Sequence, residues 1–264
     1  MKRMLRSAYS LVAMFGVDPL KAIHSIKGLP AYFRDLKTLK NQKQSAVKEF
    51  PLGRPYPCLG DRFTDSGSAK GHYFHQDLFV ARRINLNNPH RHVDVGSRID
   101  GFVAHVAAFR AIEVLDIRPL PNNIPNVTFK QADLMVPIQE NLLEYCDSLS
   151  CLHAMEHFGL GRYGDPVNYD GYILGLNNLN RILKRGGKLY FSVPIGPQRI
   201  EFNAHRVFSV RYLFECFDGK YRIDQFSFID DRGDLHENTP ISDGDVHSNF
   251  GCVYGCGIFE LTKL

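Results

Sequence analysis

The chain reads as an α/β protein organised around a parallel sheet, and three observations predict that class. From about residue 91 onward, short apolar runs alternate with stretches of helical periodicity. Glycine or a polar residue stands at the end of most of the apolar runs, where a strand turns into the next element. The 264 residues are 44% hydrophobic, enough for one large core. That apolar content excludes a disordered chain, and no run reaches the roughly 18–20 uncharged residues a membrane span needs.

The first 48 residues stand apart by charge. They hold ten Lys and Arg against Asp18 and Asp35, a balance of +8, whereas the whole chain carries only +4. The remainder is therefore mildly acidic. Residues 1–50 read as a basic helical extension of one or two short helices, punctuated by Pro19 and by a break at Gly28-Leu29-Pro30. Apolar residues recur at Leu5, Val12, Phe15, Leu20, Ile23 and Ile26 with basic residues between them. Such a segment can lie on an anionic membrane surface or pack on its own protein, and the packed extension is the preferred reading. The basic start and the apolar run Leu11–Val17 imitate a signal peptide, but Asp18-Pro19 follows in place of a small-residue cleavage site. The segment is expected to be retained and the protein to be cytoplasmic, with the inner membrane face as the surface a peripheral contact would use. Six widely spaced cysteines then read as free thiols. Nucleic acid is not an expected partner, because no aromatic-interleaved basic groove accompanies the charge.

Pro51-Leu52-Gly53-Arg54-Pro55-Tyr56-Pro57 marks the boundary to a second region, 51–264, whose sheet core starts near residue 90. A polar lead-in comes first. HVDVG (92–96) is the first strand, and a helical run follows over Phe102–Arg110. IEVLDI (112–117) is the second strand, NVTF (126–129) the third and CDSLSCLHA (146–154) the fourth. A helix over about 169–184 carries Ile173, Leu176, Leu179, Ile182 and Leu183 at helical spacing. Gly186-Gly187 reads as its stop, and KLYFSVP (188–194) as the fifth strand. RIDQFSFI (222–229) and CVYGCGIFEL (252–261) read as late strands at one edge.

The residues at the strand ends carry the chemistry. Asp94-x-Gly96-Ser97-x-x-x-Gly101 leaves the first strand, where glycine permits a sharp turn and close ligand approach, and a helix N-terminus favours negative charge. Asp116 ends the second strand twenty residues after Gly96, where a carboxylate can accept from both ribose hydroxyls. Asp133, in QADLMVP after the third strand, is placed to meet an adenine amino group. Each aspartate alone would be a turn or cap; the three in register point to an adenosine-containing cofactor. A dinucleotide enzyme would show G-x-G-x-x-G and bring a substrate domain, for which too little chain remains, so S-adenosylmethionine fits better.

VDVGSRIDGF, VLDIRP, QADLMVP, LHAMEHF and NRILKRGGKLYFSVPIG, in this order, resemble the successive motifs of class I S-adenosylmethionine-dependent methyltransferases. HAMEHFGLGRYGDP with VPIGPQRIEFNAHRVFS resembles, more narrowly, the family known as domain of unknown function 268. The resemblance implies a Rossmann-like, doubly wound, mostly parallel seven-stranded sheet whose last strand is antiparallel. It implies methionine-moiety contacts at Asp94 and Gly96, a ribose contact at Asp116 and an adenine contact at Asp133, with Ser97 and Gly101 completing the cofactor loop. Arg98 and Asp100 stand in that loop where the superfamily often carries glycine.

His153-Ala154-Met155-Glu156-His157 fits the H-x-x-E-H spacing of some zinc proteases. The glycines at 159, 161 and 164 are a poor context for a long metal-bearing helix, so no metal is expected. Glu156 and His157 are assigned to the mouth of the pocket instead. A methyl acceptor with a hydroxyl needs a base, for which His157 and His205 are the candidates. Asn203 and Arg206, in EFNAHR, and Tyr163, in the Gly159–Asp170 loop, are candidate acceptor contacts. Tyr56, Tyr73 and Phe74 would join an acceptor cap. His72, His75 and Asp77 would form a lid or, by preference, a loop packed on the sheet. The reading is O-methylation of a hydroxylated small molecule or glycan precursor, as in polysaccharide biosynthesis. The alternative is a non-catalytic nucleoside-binding or scaffolding protein that keeps the fold.

Overall fold

In a computed structural model, residues 15–45 and 50–264 are described. They form two compact units, one ending at Ser68 and the other running from Ala69 to Leu264. Leu5, Val12 and the first part of the apolar run from Leu11 lie outside the described residues.

The first unit is built on one 25-residue helix, α1 (Pro19–Lys43). The Asp18 carboxylate accepts from the amides of Leu20 and Lys21, at 3.0 and 3.1 Å, and Pro19 fills the first position, where a missing N–H costs nothing. The break expected at Gly28-Leu29-Pro30 does not occur. Pro30 lies on the exposed side of the helix, where water can reach the carbonyl its ring leaves without a donor. Gly28 is buried against the chain at Leu59, whose carbonyl oxygen would stand 2.0 Å from an added β-carbon. Leu20, Ile23, Ile26 and Phe33 are exposed. Among the described residues no helix is long and apolar enough to cross a membrane.

The second unit opens with α2 (His72–Asn87). The GHYFHQD stretch is thus the start of a helix, not a loop or lid, and it buries Gln76, Asp77, Phe79, Val80 and Ile84. The elements that follow are β1 (His92–Val95), α3 (Ala104–Ala107), β2 (Ile112–Asp116), β3 (Val127–Gln131), β4 (Cys146–Leu152), α4 (Gly171–Ile182) and β5 (Leu183–Ile195). After them come β6 (Arg199–Glu201), β7 (His205–Val207), α5 (Val210–Phe217), β8 (Tyr221–Ile229), β9 (Leu235–His236), α6 (Asp243–His247) and β10 (Gly255–Lys263). The main sheet has the order β3-β2-β1-β4-β5-β10-β8-β9. Strands β1 to β5 pair in parallel, and β10 runs antiparallel to both β5 and β8. The reversed last strand is as expected. It inserts between β5 and β8, and the two-residue β9 adds an eighth strand at the edge.

Gly186-Gly187 is not the stop of α4. The helix ends at Ile182, and the chain enters β5 at once. Residues 184–187 bulge out of register between the pairs Cys146–Leu183 and Ser148–Lys188.

Strand alternation divides the apolar side chains between two faces. On one, Val93, Val95, Leu149, Phe191 and Phe259 meet Leu179 and Ile182 of α4 and Leu213 and Phe217 of α5. On the other, Ile112, Val114, Leu152 and Ile258 meet Phe79, Val80 and Ile84 of α2 and Val106 of α3. With helices on both faces, only the strand ends remain open to a ligand. The chain order reverses between β1 and β4, the position where a parallel sheet opens a crevice at its carboxyl edge.

Candidate active site

At that crevice lies a cleft of about 140 Å³, partly open to solvent. Its walls come from three successive strand ends (Gly96, Asp116 and Asp133), from Tyr73 on α2, and from His153, His157, Tyr163 and Asp165 after β4.

Gly96 stands where the chain leaves β1 with φ +71°, and an added β-carbon would come 2.9 Å from the Ala154 methyl group. Both the turn and the close approach of the loop after β4 therefore need glycine. Beneath it is Asp94, fully buried. Its carboxylate accepts from the Ser97 amide at 3.0 Å, the Ser97 hydroxyl at 2.6 Å and the Ser150 hydroxyl at 2.5 Å. Ser150 also meets His92 Nε2 at 3.1 Å. Burial pushes the Asp94 carboxyl up to about 6 against these donors. Asp94 and Ser97 do not line the cleft. The Asp94 oxygens tie the loop to β4 through these donors. Gly101 also lies outside the cleft wall, buried against the Asp77 carboxylate.

Asp116 and Asp133 do reach the cleft. Asp133 accepts from the Met135 amide at 2.8 Å. Asp116 accepts from Arg118 through the backbone amide at 2.8 Å and through the guanidinium at 3.0 and 2.6 Å. Arg118 also covers the Tyr163 ring at 4.5 Å. It was not singled out in the sequence, although it stands two residues after Asp116. Arg98 lines the cleft too, but Asp100 holds its guanidinium at 3.1 Å and supplies the opposite charge.

After β4 the chain turns through His153, whose φ is +49°. Burial pulls the His153 imidazole down, but Cys256 and Glu156 outweigh it and leave the group well above its ordinary value. Its Nδ1 meets the Glu156 carboxylate at 2.6 Å. Glu156 is itself 1% exposed and sits behind the wall, 3.6 Å from His157 Nε2. His157 donates from Nδ1 to the Ala204 carbonyl at 2.7 Å, and its ring meets Tyr163 edge-on at 5.4 Å. That bond fixes the tautomer, leaving Nε2 without a proton, and burial lowers the imidazole below its ordinary value. Asp165, also missed in the sequence, accepts from the amides of Gly159, Gly161 and Tyr163 and so shapes this loop. The glycines around it were its visible signal.

The EFNAHR residues do not join the cleft. Pairing of β6 with β7 sets Glu201 opposite His205, whose Nε2 lies 3.1 Å from the Glu201 carboxylate while its ring covers Tyr254. Asn203 is exposed at the hairpin turn. Arg206 is buried and donates to the carbonyls of Phe158 and Tyr169, at 2.5 and 2.9 Å. These bonds pin the 158–169 loop. Of the expected acceptor cap, Tyr73 lines the cleft, Phe74 is exposed, and Tyr56 belongs to the first unit.

The family model described as Caenorhabditis protein of unknown function, DUF268, matches residues 113–241. By fold the chain is similar to the 1,6-didemethyltoxoflavin-N1-methyltransferase of Burkholderia thailandensis, solved with 1,6-didemethyltoxoflavin and S-adenosylhomocysteine. The identity is 13% and the TM-score 0.51, over 74% of this chain and 79% of that one. The fold is that of the class I S-adenosylmethionine-dependent methyltransferases. The [4+2]-cyclase SpnF matches it equally well, with a TM-score of 0.51 and 14% identity over 72% of this chain and 80% of that one. No curated protein matches the sequence. The methyltransferase fold thus accounts for the strand order and the position of the cleft, and the DUF268 match spans the loops that carry Glu156, His157, Tyr163 and Arg206.

Proposed function

We propose that the chain is an S-adenosylmethionine-dependent methyltransferase that O-methylates a hydroxylated small molecule or a glycan precursor in polysaccharide biosynthesis. The observation that carries this reading is the convergence of Gly96, Asp116 and Asp133, from three adjacent strand ends, on the cleft that also holds His157. The bare approach at Gly96 is a cradle that any side chain would fill, and the two carboxylates suit a nucleoside. The bound cofactor would supply an activated methyl group on a sulfonium. Asp116 would accept from ribose hydroxyls, with Arg118 swinging off to make room, and Asp133 would accept from the adenine amino group. His157 Nε2 would take the hydroxyl proton as the acceptor oxygen bonds to the methyl carbon and the carbon–sulfur bond breaks. Tyr73 and Tyr163 would flank the acceptor. The basic head would give a cytoplasmic protein a peripheral contact with the anionic inner membrane face.

Calorimetric titration with S-adenosylmethionine tests the cofactor, and release of S-adenosylhomocysteine with an extract of cell-envelope precursors tests the transfer. Asp116→Ala is expected to abolish binding. His157→Ala is expected to keep binding and to slow transfer by about 10²–10⁴-fold. Full turnover in His157→Ala would remove the base assignment. Absence of binding at millimolar cofactor would leave the second reading, a protein that keeps the fold without this chemistry. The prior engagement of Asp116 by Arg118 favours that second reading.

A further inference from the structure

Beside the cleft, three elements bring together side chains that the methyl-transfer reading does not use. His72 opens α2, His153 follows β4, and Cys256 lies on β10. One ligand atom from each falls within 4.8 Å of the others. Two of the three are buried, with Cys256 fully so, and His72 is half-buried.

The state of His153 is the informative feature. Its Nδ1 is held at 2.6 Å by Glu156, a carboxylate that is 1% exposed. Its Nε2 is buried and has no hydrogen-bond partner, although the His153 side chain is only 4% exposed. A buried polar nitrogen without a partner is unfavourable, and here the backbone adopts a positive φ at the same residue. An imidazole with one nitrogen on a buried carboxylate and the other without a partner is the arrangement metal-ligating histidines show, since the carboxylate orients the ring. The Cys256 thiol is held only by weak sulfur hydrogen bonds, which a metal ion would replace. Its contacts are long ones, 3.7 Å to Gln76 Oε1 and 3.8 Å to the Gly257 carbonyl.

We infer that His72, His153 and Cys256 bind one zinc-class divalent transition metal ion, with Glu156 as the carboxylate behind His153. Two imidazoles and a thiolate select a borderline-soft ion over magnesium or calcium, which prefer oxygen. On binding, Cys256 and His153 Nε2 release their protons to solvent, and rotation of His72, the half-buried ligand, closes the set. This is not the pair suggested by the H-x-x-E-H spacing, because the ligand atoms that lie together are those of His72, His153 and Cys256 and not that of His157. Three protein ligands leave a fourth position for water or another oxygen ligand, the pattern of an open zinc site. Because His153 also lines the cleft, that ion would form part of its wall.

Cobalt(II) titration of the full chain, followed in the near-ultraviolet and visible, tests the site independently of any methyl transfer. The expected result is one ion per chain, tetrahedral visible bands and a thiolate-to-cobalt charge-transfer band, all displaced by zinc. Cys256→Ser should remove the charge-transfer band. His72→Ala, a change at a half-buried helix start, should abolish tight binding while circular dichroism shows the fold intact. Glu156→Gln should weaken binding by about 10–100-fold. The inference is overturned if the chain takes up no cobalt or zinc. It is equally overturned if both ligand variants bind as the parent does, which would place the ion elsewhere, for instance at the exposed Cys58.

Discussion

At Asp94, burial and hydrogen bonding pull in opposite directions. Three donors favour the carboxylate, but full burial outweighs them and the group titrates near 6 in place of 3.8. The sign of the consequence follows from proton counting. Between about pH 4 and 6 the folded chain keeps a proton that the unfolded chain has released, so this group costs stability as pH rises through that window. Two units correspond to ~3 kcal/mol at full ionisation. Asp94→Asn carries no charge at any pH. Its unfolding free energy relative to the parent is therefore expected to move in its favour by ~2 kcal/mol between pH 4.5 and 7.5. Urea denaturation at both pH values measures this, and a pH-independent gap would show that Asp94 is ionised in the folded state across the range. Asp94 also marks what the sequence displays at this scale. The Asp-x-Gly spacing is visible, whereas the Ser150 hydroxyl that turns the carboxylate inward stands 56 residues away. Asp116 is the opposite case, since the arginine that occupies it is two positions along the chain.

Among the elements, α4 packs against the turn at Met155–Phe158, which carries His157, the base of the proposed function. Gly175 is buried at that crossing, and a β-carbon there would lie 2.7 Å from the Met155 sulfur and 2.7 Å from the Phe158 ring. Met155 is itself fully buried and Phe158 packs against the same core, so the turn must shift to make room. Gly175→Ala is expected to cost about 1–3 kcal/mol by overpacking, despite alanine's better helix propensity. The displaced turn would move His157 as well, lowering transfer more than cofactor binding. Gly244 in α6 serves as the control. Nothing lies within 4 Å of an added β-carbon there, so Gly244→Ala should be neutral or stabilising by about 0.4–1 kcal/mol. Equal losses at both positions in thermal or urea unfolding would refute the packing argument. The elements that periodicity missed share one physical cause. Continuation of α1 through Pro30 depends on which side of the helix meets water, and the helix that starts at His72 owes its buried face to distant strands. A run such as IEVLD is buried on both faces and declares itself locally.

For the molecule as a whole, the charge asymmetry and the strand–helix alternation were both legible in the sequence, and they separate the chemistry from the basic head. The cleft with its strand-end carboxylates belongs entirely to the unit from Ala69 onward. Which strand-end residues face the cleft was only partly legible, because hairpin pairing at β6–β7 turns His205 and Asn203 away from it. The first unit holds a helix whose exposed side chains include Lys21, Lys27, Lys37 and Lys40 together with Leu20, Ile23, Ile26 and Phe33. Apolar and cationic side chains exposed together are what an anionic lipid surface recognises, with about 1 kcal/mol for each cation near the surface. The full chain is therefore expected to sediment with phosphatidylserine-containing vesicles and not with pure phosphatidylcholine, and to be released by raised salt. Replacing Lys21, Lys27, Lys37 and Lys40 by Gln should reduce that binding by up to ~4 kcal/mol in total while leaving cofactor titration unchanged. Equal sedimentation with both vesicle types, or no loss in the fourfold variant, would assign the exposed lysines of α1 to solvation alone.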